Sequence, residues 1–390
     1  MTPHTTLTHL HIRKAHYGVA AIFFLNGALF GAWASRIPTV KQDLGLNEAT
    51  LGMLLLLLAA GAITSFPIAG FASDNFGAQR TTKALAVMNI VALLVISLIS
   101  NIWLLVPALF LFGTTHGGID VAMNTWGAQL EKMRERPTMS GLHAMWSIGT
   151  GVGAGSGALA LAFNLGIVVH FFSFSLILGA AALWLADTPW PGFKNMHQTQ
   201  KKFFAVPKGA LAFVGLIAFC SAMSEGAIAD WSAVYLVQIL TASAANAPVG
   251  YAAFSITMVL TRLSGDRIIS GLGYKRTAQL SGLIATVGAV TVIFAPHVLV
   301  AWLGFALMGI GYATIFPMVF SRAANDPEMT PGAAMAATAT FGYGGLLLGP
   351  PIIGFIAQAS TLQWSFGLLA ILPMAIFTLA PAMKIVTDNS

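Results

Sequence analysis

The chain has 390 residues, of which 57% are apolar and only 8% carry a formal charge. A soluble protein has about 25% charged residues, so this sequence cannot cover a water-exposed surface of its size, and a water-soluble fold is excluded. The net charge of +6 does not point to nucleic acid, because the basic residues lie scattered in short connections between apolar runs.

A helix crossing a bilayer needs about 20 apolar residues, so the length suits about a dozen spans with short loops. Forty glycines and 17 prolines would damage soluble helices. Bundled membrane helices tolerate them, because neighbours re-satisfy freed backbone groups and small residues allow close approach. Arg13 and Lys14 precede an apolar run ending in Ala32-Trp33-Ala34, which has the outline of a cleavable leader. The run is long for one and is needed to make the span count even, so we read it as the first span. In chain order the predicted spans are 16–35, 48–72, 81–99, 103–128, 138–163, 166–186, 209–239, 248–268, 276–295, 298–321, 332–358 and 361–384. With the N-terminus in the cytoplasm, 17 of the 19 basic residues, Arg262 among them, fall on the inner side, and only Arg36 and Lys41 fall outside. That asymmetry places both termini in the cytoplasm. The lone Cys220 forms no intrachain disulfide.

The longest polar connection, Asp187 to Lys208, divides the chain into an N-terminal six-helix half (1–187), a cytoplasmic linker (188–208) and a C-terminal six-helix half (209–390). The halves echo each other. Gly70-x3-Asp74-x2-Gly77-x2-Arg80 follows span 2. Arg262-Leu-Ser-Gly-Asp266-Arg267, with Gly273-Tyr-Lys275-Arg276, follows span 8, and the two aspartates are 192 residues apart. Six-span repeats of this kind build transporters with a solute site near the membrane midplane.

The 6+6 plan, the linker and the G-x3-D-x2-G-x2-R string resemble the major facilitator superfamily over essentially the whole chain. Asn75 and Gln79 depart from its usual loop motif, where basic residues are common. Three further strings, Trp33-Ala-Ser-Arg36-Ile-Pro38, Gly118-Ile-Asp120-Val-Ala-Met-Asn124 and Glu225-Gly-Ala-Ile-Ala-Asp230-Trp231, look like the YbjJ-like bacterial inner-membrane branch, with a looser likeness to the fucose permeases. The resemblance implies an all-α membrane protein of 12 transmembrane helices in two pseudo-symmetric halves. It also implies that Asp74, Gly77 and Arg80, echoed by Asp266 and Arg267, form a cytoplasmic gate, with Asp74 meeting the N-terminus of helix 11 or a basic partner. A carboxylate is favoured at a helix N-terminus, although a plain surface charge is the alternative.

Ionised side chains at membrane depth cost at least ~2.5–3.5 kcal/mol and call for a reason. Three acids qualify: Asp120 in span 4, and Glu225 and Asp230 in span 7. With no lysine or arginine expected mid-span to neutralise them, each can alternate between protonated and ionised forms and couple a solute to a proton gradient. The other reading for each is a neutral acid hydrogen-bonded between helices. His116, Asp120 and Asn124 fall at i, i+4 and i+8, one polar stripe able to relay a proton and hydrogen-bond a hydroxylated solute, or to glue helices together. His143 and Trp146 of span 5 join them, with Asn26 in span 1 and Tyr312 and Tyr343 in the second half as weaker cavity candidates. Asp230 points about 140° away from Glu225 on a regular helix, so both face one cavity only if span 7 breaks, for which Gly226 is the candidate. Trp231 stacks on a sugar ring or sits in an aromatic belt. Gly345-x3-Gly349-Pro350-Pro351-x2-Gly354 reads as a kink and packing seam.

His4, His9, His11 and His16 match no metal spacing, and no cofactor or metal is expected. There is no P-loop, and no nucleophile–base–acid set converges, so neither ATP-driven transport nor an enzyme is expected. The leading reading is a monomeric inner-membrane transporter taking up a small polar solute, a sugar or related metabolite, with protons. The alternative is a proton-coupled drug or metabolite efflux antiporter.

Overall fold

In hydrocarbon every backbone amide and carbonyl must be satisfied within its own segment or a closed barrel, so uninterrupted apolar runs without a two-residue alternation fold as helices. The computed structural model describes residues 9–191, 207–243 and 246–384, and their regular structure is helical, with no strand. The elements are α1 (His9–Asp43), α2 (Glu48–Phe76), α3 (Ala78–Ser97), α4 (Ile102–Arg134), α5 (Met139–Ala162), α6 (Ile167–Ala186) and α7 (Gly209–Gln238). They continue with α8 (Val249–Ile293), α9 (Val298–Tyr312), α10 (Ile315–Ala324), α11 (Pro331–Ala359), α12 (Leu362–Ser365), α13 (Gly367–Leu379) and a 3-10 turn (Ala380–Met383). The greater part of the expected linker, with Lys194, Lys201 and Lys202, lies outside the described residues, as does His4.

Helix ends follow local chemistry. The Asn47 side chain accepts the Thr50 amide at 2.8 Å, and the Asn101 side chain accepts that of Trp103 at 2.8 Å, satisfying donors that the first turn leaves open. Gly77, between α2 and α3, has φ 95° and ψ 135°. Gly273 turns the chain inside α8 with φ 75° and ψ 162°. Both backbones are closed to residues with a Cβ, which explains the glycine in each copy of the loop string. Lys83 of α3 donates to Asp187 beyond α6 at 2.5 Å, and this hydrogen bond and charge hold the Asp187 carboxyl below its usual range. Gln79 donates its amide to the carbonyl oxygens of Ala186 (2.9 Å) and Thr188 (2.6 Å) and so closes the end of α6.

Among the described residues, 10 helices are long and apolar enough to cross a membrane. The spans expected at 248–268 and 276–295 are the two helices within α8, which meet at the non-helical Gly273. The structure revises two details of the sequence reading. Helix α7 runs unbroken through Gly226. There a Cβ would come within 3.0 Å of the Leu346 carbonyl oxygen, so this glycine serves helix packing instead of a break. Arg262, assigned above to an inner connection, lies buried inside α8.

The chain divides into two compact units. One comprises 1–138, 142–205 and 328–336; the other comprises 139–141, 206–327 and 337–390. Thus α5 starts in the second unit and continues in the first, and α11 does the reverse. In the first unit, α1 and α5 meet along a glycine seam: a Cβ on Gly149 or Gly153 would lie 2.1 Å from the carbonyl oxygen of Phe24 or Ala28, and one on Gly27 or Gly31 would lie 2.1 Å from that of Trp146 or Thr150. The second unit repeats the device, with Gly345 and Gly349 of α11 against Phe219 and Met223 of α7. This is the packing seam expected from the span 11 glycines. By contrast Gly151 and Gly155 meet nothing within 4 Å. Gly153→Val is therefore expected to destabilise the protein by at least ~1–3 kcal/mol through overpacking against backbone that cannot retreat. Gly155→Ala should not lower the unfolding temperature of the purified protein, since the added methyl meets open space and alanine is the better helix former.

Candidate functional sites

The first unit gathers polar side chains from the middle of α1, the middle and second half of α4 and the first two turns of α5. Trp146 donates its indole N–H to Asn26 Oδ1 at 2.9 Å. An indole nitrogen can only donate, so the Asn26 amide is fixed with its nitrogen toward His116, whose Nδ1 lies 3.2 Å away. His116 Nδ1 is then an acceptor, which assigns its proton to Nε2. Aromatic rings enclose this group: Phe30 stacks on His116 with centroids 5.2 Å apart, and Phe112 lies at 6.0 Å.

Two turns along α4, a second chain of hydrogen bonds ends on a carboxyl. Asn124 Nδ2 donates to Asp120 Oδ1 at 3.0 Å and to the Asp120 carbonyl at 2.8 Å. That leaves Asn124 Oδ1 as acceptor for His143 Nε2 at 3.1 Å. The order is His143 N–H to Asn124 to Asp120, with every member supplying the group its neighbour lacks. Asn124 and His143 are buried, whereas Asp120 keeps part of its surface open. The i, i+4, i+8 stripe is present, and Asn26, Trp146 and His143 come to it from the neighbouring helices.

The second unit centres on Glu225 of α7. Its Oε1 accepts the Ser221 hydroxyl at 3.0 Å, and its Oε2 lies 3.9 Å from Arg262 Nη2. The guanidinium is buried, and its Nε donates to the Ala313 carbonyl at 3.1 Å. The expectation that no basic residue reaches the acids at membrane depth is thus corrected for Glu225. Position 262 already fell within the predicted limits of span 8, which was the available signal. Tyr312 is fully buried. Tyr343 is half-buried on α11. Asp230 is exposed and stands apart from Glu225 on the unbroken helix. With Trp231, Val234, Pro350 and Pro351 it lines an open cavity of about 370 Å³. Trp231 donates its indole N–H to the Pro350 carbonyl at 3.0 Å, which leaves the ring without its polar handle for a ligand.

The repeated loop strings place their aspartates at helix starts. In the first unit, Asp74 accepts the Thr330 hydroxyl at 2.6 Å and the Gly332 amide at 3.0 Å, at the beginning of α11. Gly70 permits the approach, since a Cβ there would stand 2.5 Å from the Gly332 carbonyl oxygen. In the second unit, Asp266 accepts the amides of Ser140 (2.9 Å) and Gly141 (3.0 Å), at the beginning of α5. Each carboxylate thereby fills open donors at the positive end of a helix. Asp74 thus meets the N-terminus of helix 11, as expected, through the Thr330 hydroxyl and the Gly332 amide. Sequence reasoning named no partner for Asp266, because the backbone amides of Ser140 and Gly141 carry no residue-type signal. Arg80 and Arg267 are exposed.

The family model of the Major Facilitator Superfamily matches residues 19–343. The chain belongs to this superfamily. An uncharacterized transporter, y4wD, of Sinorhizobium fredii is 40% identical over 94% of this chain and 97% of its own length. An uncharacterized transporter of this superfamily type from Yersinia pestis is 34% identical over 94% of each chain. The crystal structure of the E. coli fucose:proton symporter FucP superposes with a TM-score of 0.78 over 95% of this chain and 98% of that one, at 16% identity, a likeness of fold. The protein is therefore a multi-pass membrane transporter of the superfamily, and not an enzyme.

Proposed function

We propose that the protein is a secondary transporter that takes up a small hydroxylated solute, a sugar or related metabolite, together with protons by alternating access. The observation that carries this reading is the His143–Asn124–Asp120 chain. It holds a carboxyl at mid-helix, joined by directional hydrogen bonds to an imidazole and still open on one side. Such a group can take up and release a proton where a charge is costly. The Asn26–His116–Trp146 group beside it offers amide, imidazole and aromatic faces suited to hydroxyls and a sugar ring. Glu225 is the acid of the second unit, with Asp230 as an outlying third, and Trp231, Tyr312 and Tyr343 complete the solute candidates.

We count twelve spans, the ten apolar helices plus the glycine- and serine-rich α5 and the division of α8 at Gly273. This count, in two six-helix halves, carries both termini into the cytoplasm of a bacterial inner membrane, with the protein acting as a monomer and the three strings quoted above pointing to the YbjJ-like branch. The Asp74 and Asp266 caps, with Gly77, Arg80 and Arg267 around them, are the gate elements in this reading. They restrain the first turns of α11 and α5, and each of those helices runs on into the other unit. The structural neighbour FucP is a fucose:proton symporter, which agrees with proton-coupled uptake.

The test is reconstitution into proteoliposomes with an acid-outside pH difference and a panel of labelled polyols, hexoses and lipophilic cations. Inward accumulation of a member of the hydroxylated set, abolished by a protonophore, is expected. Outward, gradient-driven movement of lipophilic cations with no accumulation of any polyol would assign the protein to efflux instead.

A further inference from the structure

One turn of α8 touches both the acid of the second unit and the start of α5. The Arg262 side chain faces Glu225 at 3.9 Å. The backbone carbonyl of the same residue accepts the Ser140 hydroxyl at 2.9 Å. Gly265 allows that approach, since a Cβ there would stand 2.0 Å from Ser140 Oγ. Asp266, four residues beyond Arg262, accepts the Ser140 and Gly141 amides. Residues four apart lie on one helix face, and opposite charges at that spacing attract.

We propose that Arg262 is a positioning residue that links the protonation of Glu225 to the cap on α5: when Glu225 becomes neutral, the guanidinium turns to Asp266 and draws its carboxylate off the Ser140 and Gly141 amides. A guanidinium cannot shed its proton, so a neutral Glu225 leaves a buried cation that must find another anion. Asp266 is the carboxylate one turn away on the same helix. The other titratable groups around Glu225 and Arg262 are Tyr251 of α8, Tyr312 of α9, and Cys220 and Asp230 of α7. The phenols and the thiol are neutral at neutral pH, and Asp230 is exposed. None of these offers the guanidinium a buried anion. The inference rests on the reading of Glu225 as a titrating acid and adds the route by which its charge reaches a helix start.

Hydrogen–deuterium exchange of the purified full chain at fixed pH tests the link, because the cap protects the two amides. Glu225→Gln mimics the protonated acid, and exchange at Ser140 and Gly141 is expected to rise about tenfold, a local opening within one motif. In Glu225→Gln/Arg262→Gln the guanidinium that would turn to Asp266 is gone, and exchange should return to within about twofold of wild type, the non-additivity expected of residues acting as one network. Asp266→Asn, which weakens the cap directly, should expose the amides with or without Arg262. An unchanged Glu225→Gln protein, or a double variant that exchanges as fast as the single one, overturns the link.

A measurement without variants uses Gly332, capped by Asp74 in the other unit, as the internal reference. Acidifying wild type should lower protection at Ser140–Gly141 more than at Gly332. Equal loss at both caps marks a transition of the whole chain and overturns the local link. Proteoliposome uptake is scored separately. If no proton-driven accumulation is found while the exchange contrast holds, the transport reading fails and the link stands; the reverse pattern removes the link alone.

Discussion

Asp120→Asn is expected to abolish pH-driven accumulation while leaving solute exchange across the membrane intact. The amide has the size of the carboxyl, and its oxygen can still accept the Asn124 N–H that Asp120 Oδ1 accepts at 3.0 Å. The chain back to His143 therefore survives, and only titration is lost. For one proton per solute, a pH difference of one unit supports about tenfold accumulation, since each pH unit is worth 1.36 kcal/mol. In the variant the inside-to-outside ratio should fall to unity, while counterflow of labelled against unlabelled solute should remain within about threefold of wild type, because uniform binding contacts are retained. Accumulation at the wild-type ratio would return Asp120 to a packing role. Loss of counterflow as well would make it a binding contact without a coupling role.

The second large effect is an asymmetry within the Glu225–Arg262 pair. Breaking a buried ion pair by removing one partner costs ~3–5 kcal/mol when the other is left charged. Glu225→Gln leaves a guanidinium that cannot neutralise, whereas Arg262→Gln leaves a carboxyl that can accept a proton. Glu225→Gln should therefore lower the unfolding temperature more than Arg262→Gln, and the double variant should be more stable than Glu225→Gln alone. The pair is wide at 3.9 Å and Arg262 keeps its bond to the Ala313 carbonyl, which places the loss at the lower end of that range. Equal losses in the two single variants would mean that the charges contribute little and that packing of the side chains dominates.

Much of this was legible in the sequence because apolar length and glycine placement act locally. The helices, the repeated aspartate strings and the α4 stripe all follow from spacing along one chain segment. The glycine at the α2–α3 junction is legible for the same reason, since its backbone excludes any other residue. What was not legible depends on what lies across from a residue. Arg262 reads as one more basic residue on the inner side until α8 is seen to carry it beneath Glu225. Gly226 reads equally well as a helix break or as a place where Leu346 comes close. Asp230 is five residues from Glu225 in a string that invites pairing, yet an unbroken α7 leaves it exposed beside Trp231 and Pro350. The amides of Ser140, Gly141 and Gly332 belong to the backbone, and only the fold shows which ones a carboxylate meets.

The claim that solute and proton move inward together is tested most directly by following protons with no pH difference imposed. Proteoliposomes are loaded with a pH-sensitive dye, and a solute found to be accumulated is added outside. The interior is expected to acidify as solute enters, the signal to disappear in Asp120→Asn, and the signal to grow when a potassium diffusion potential makes the interior negative. An interior that turns alkaline would show exchange of solute for protons, and solute entry without any change of internal pH would show uncoupled movement. Either result contradicts proton-coupled uptake.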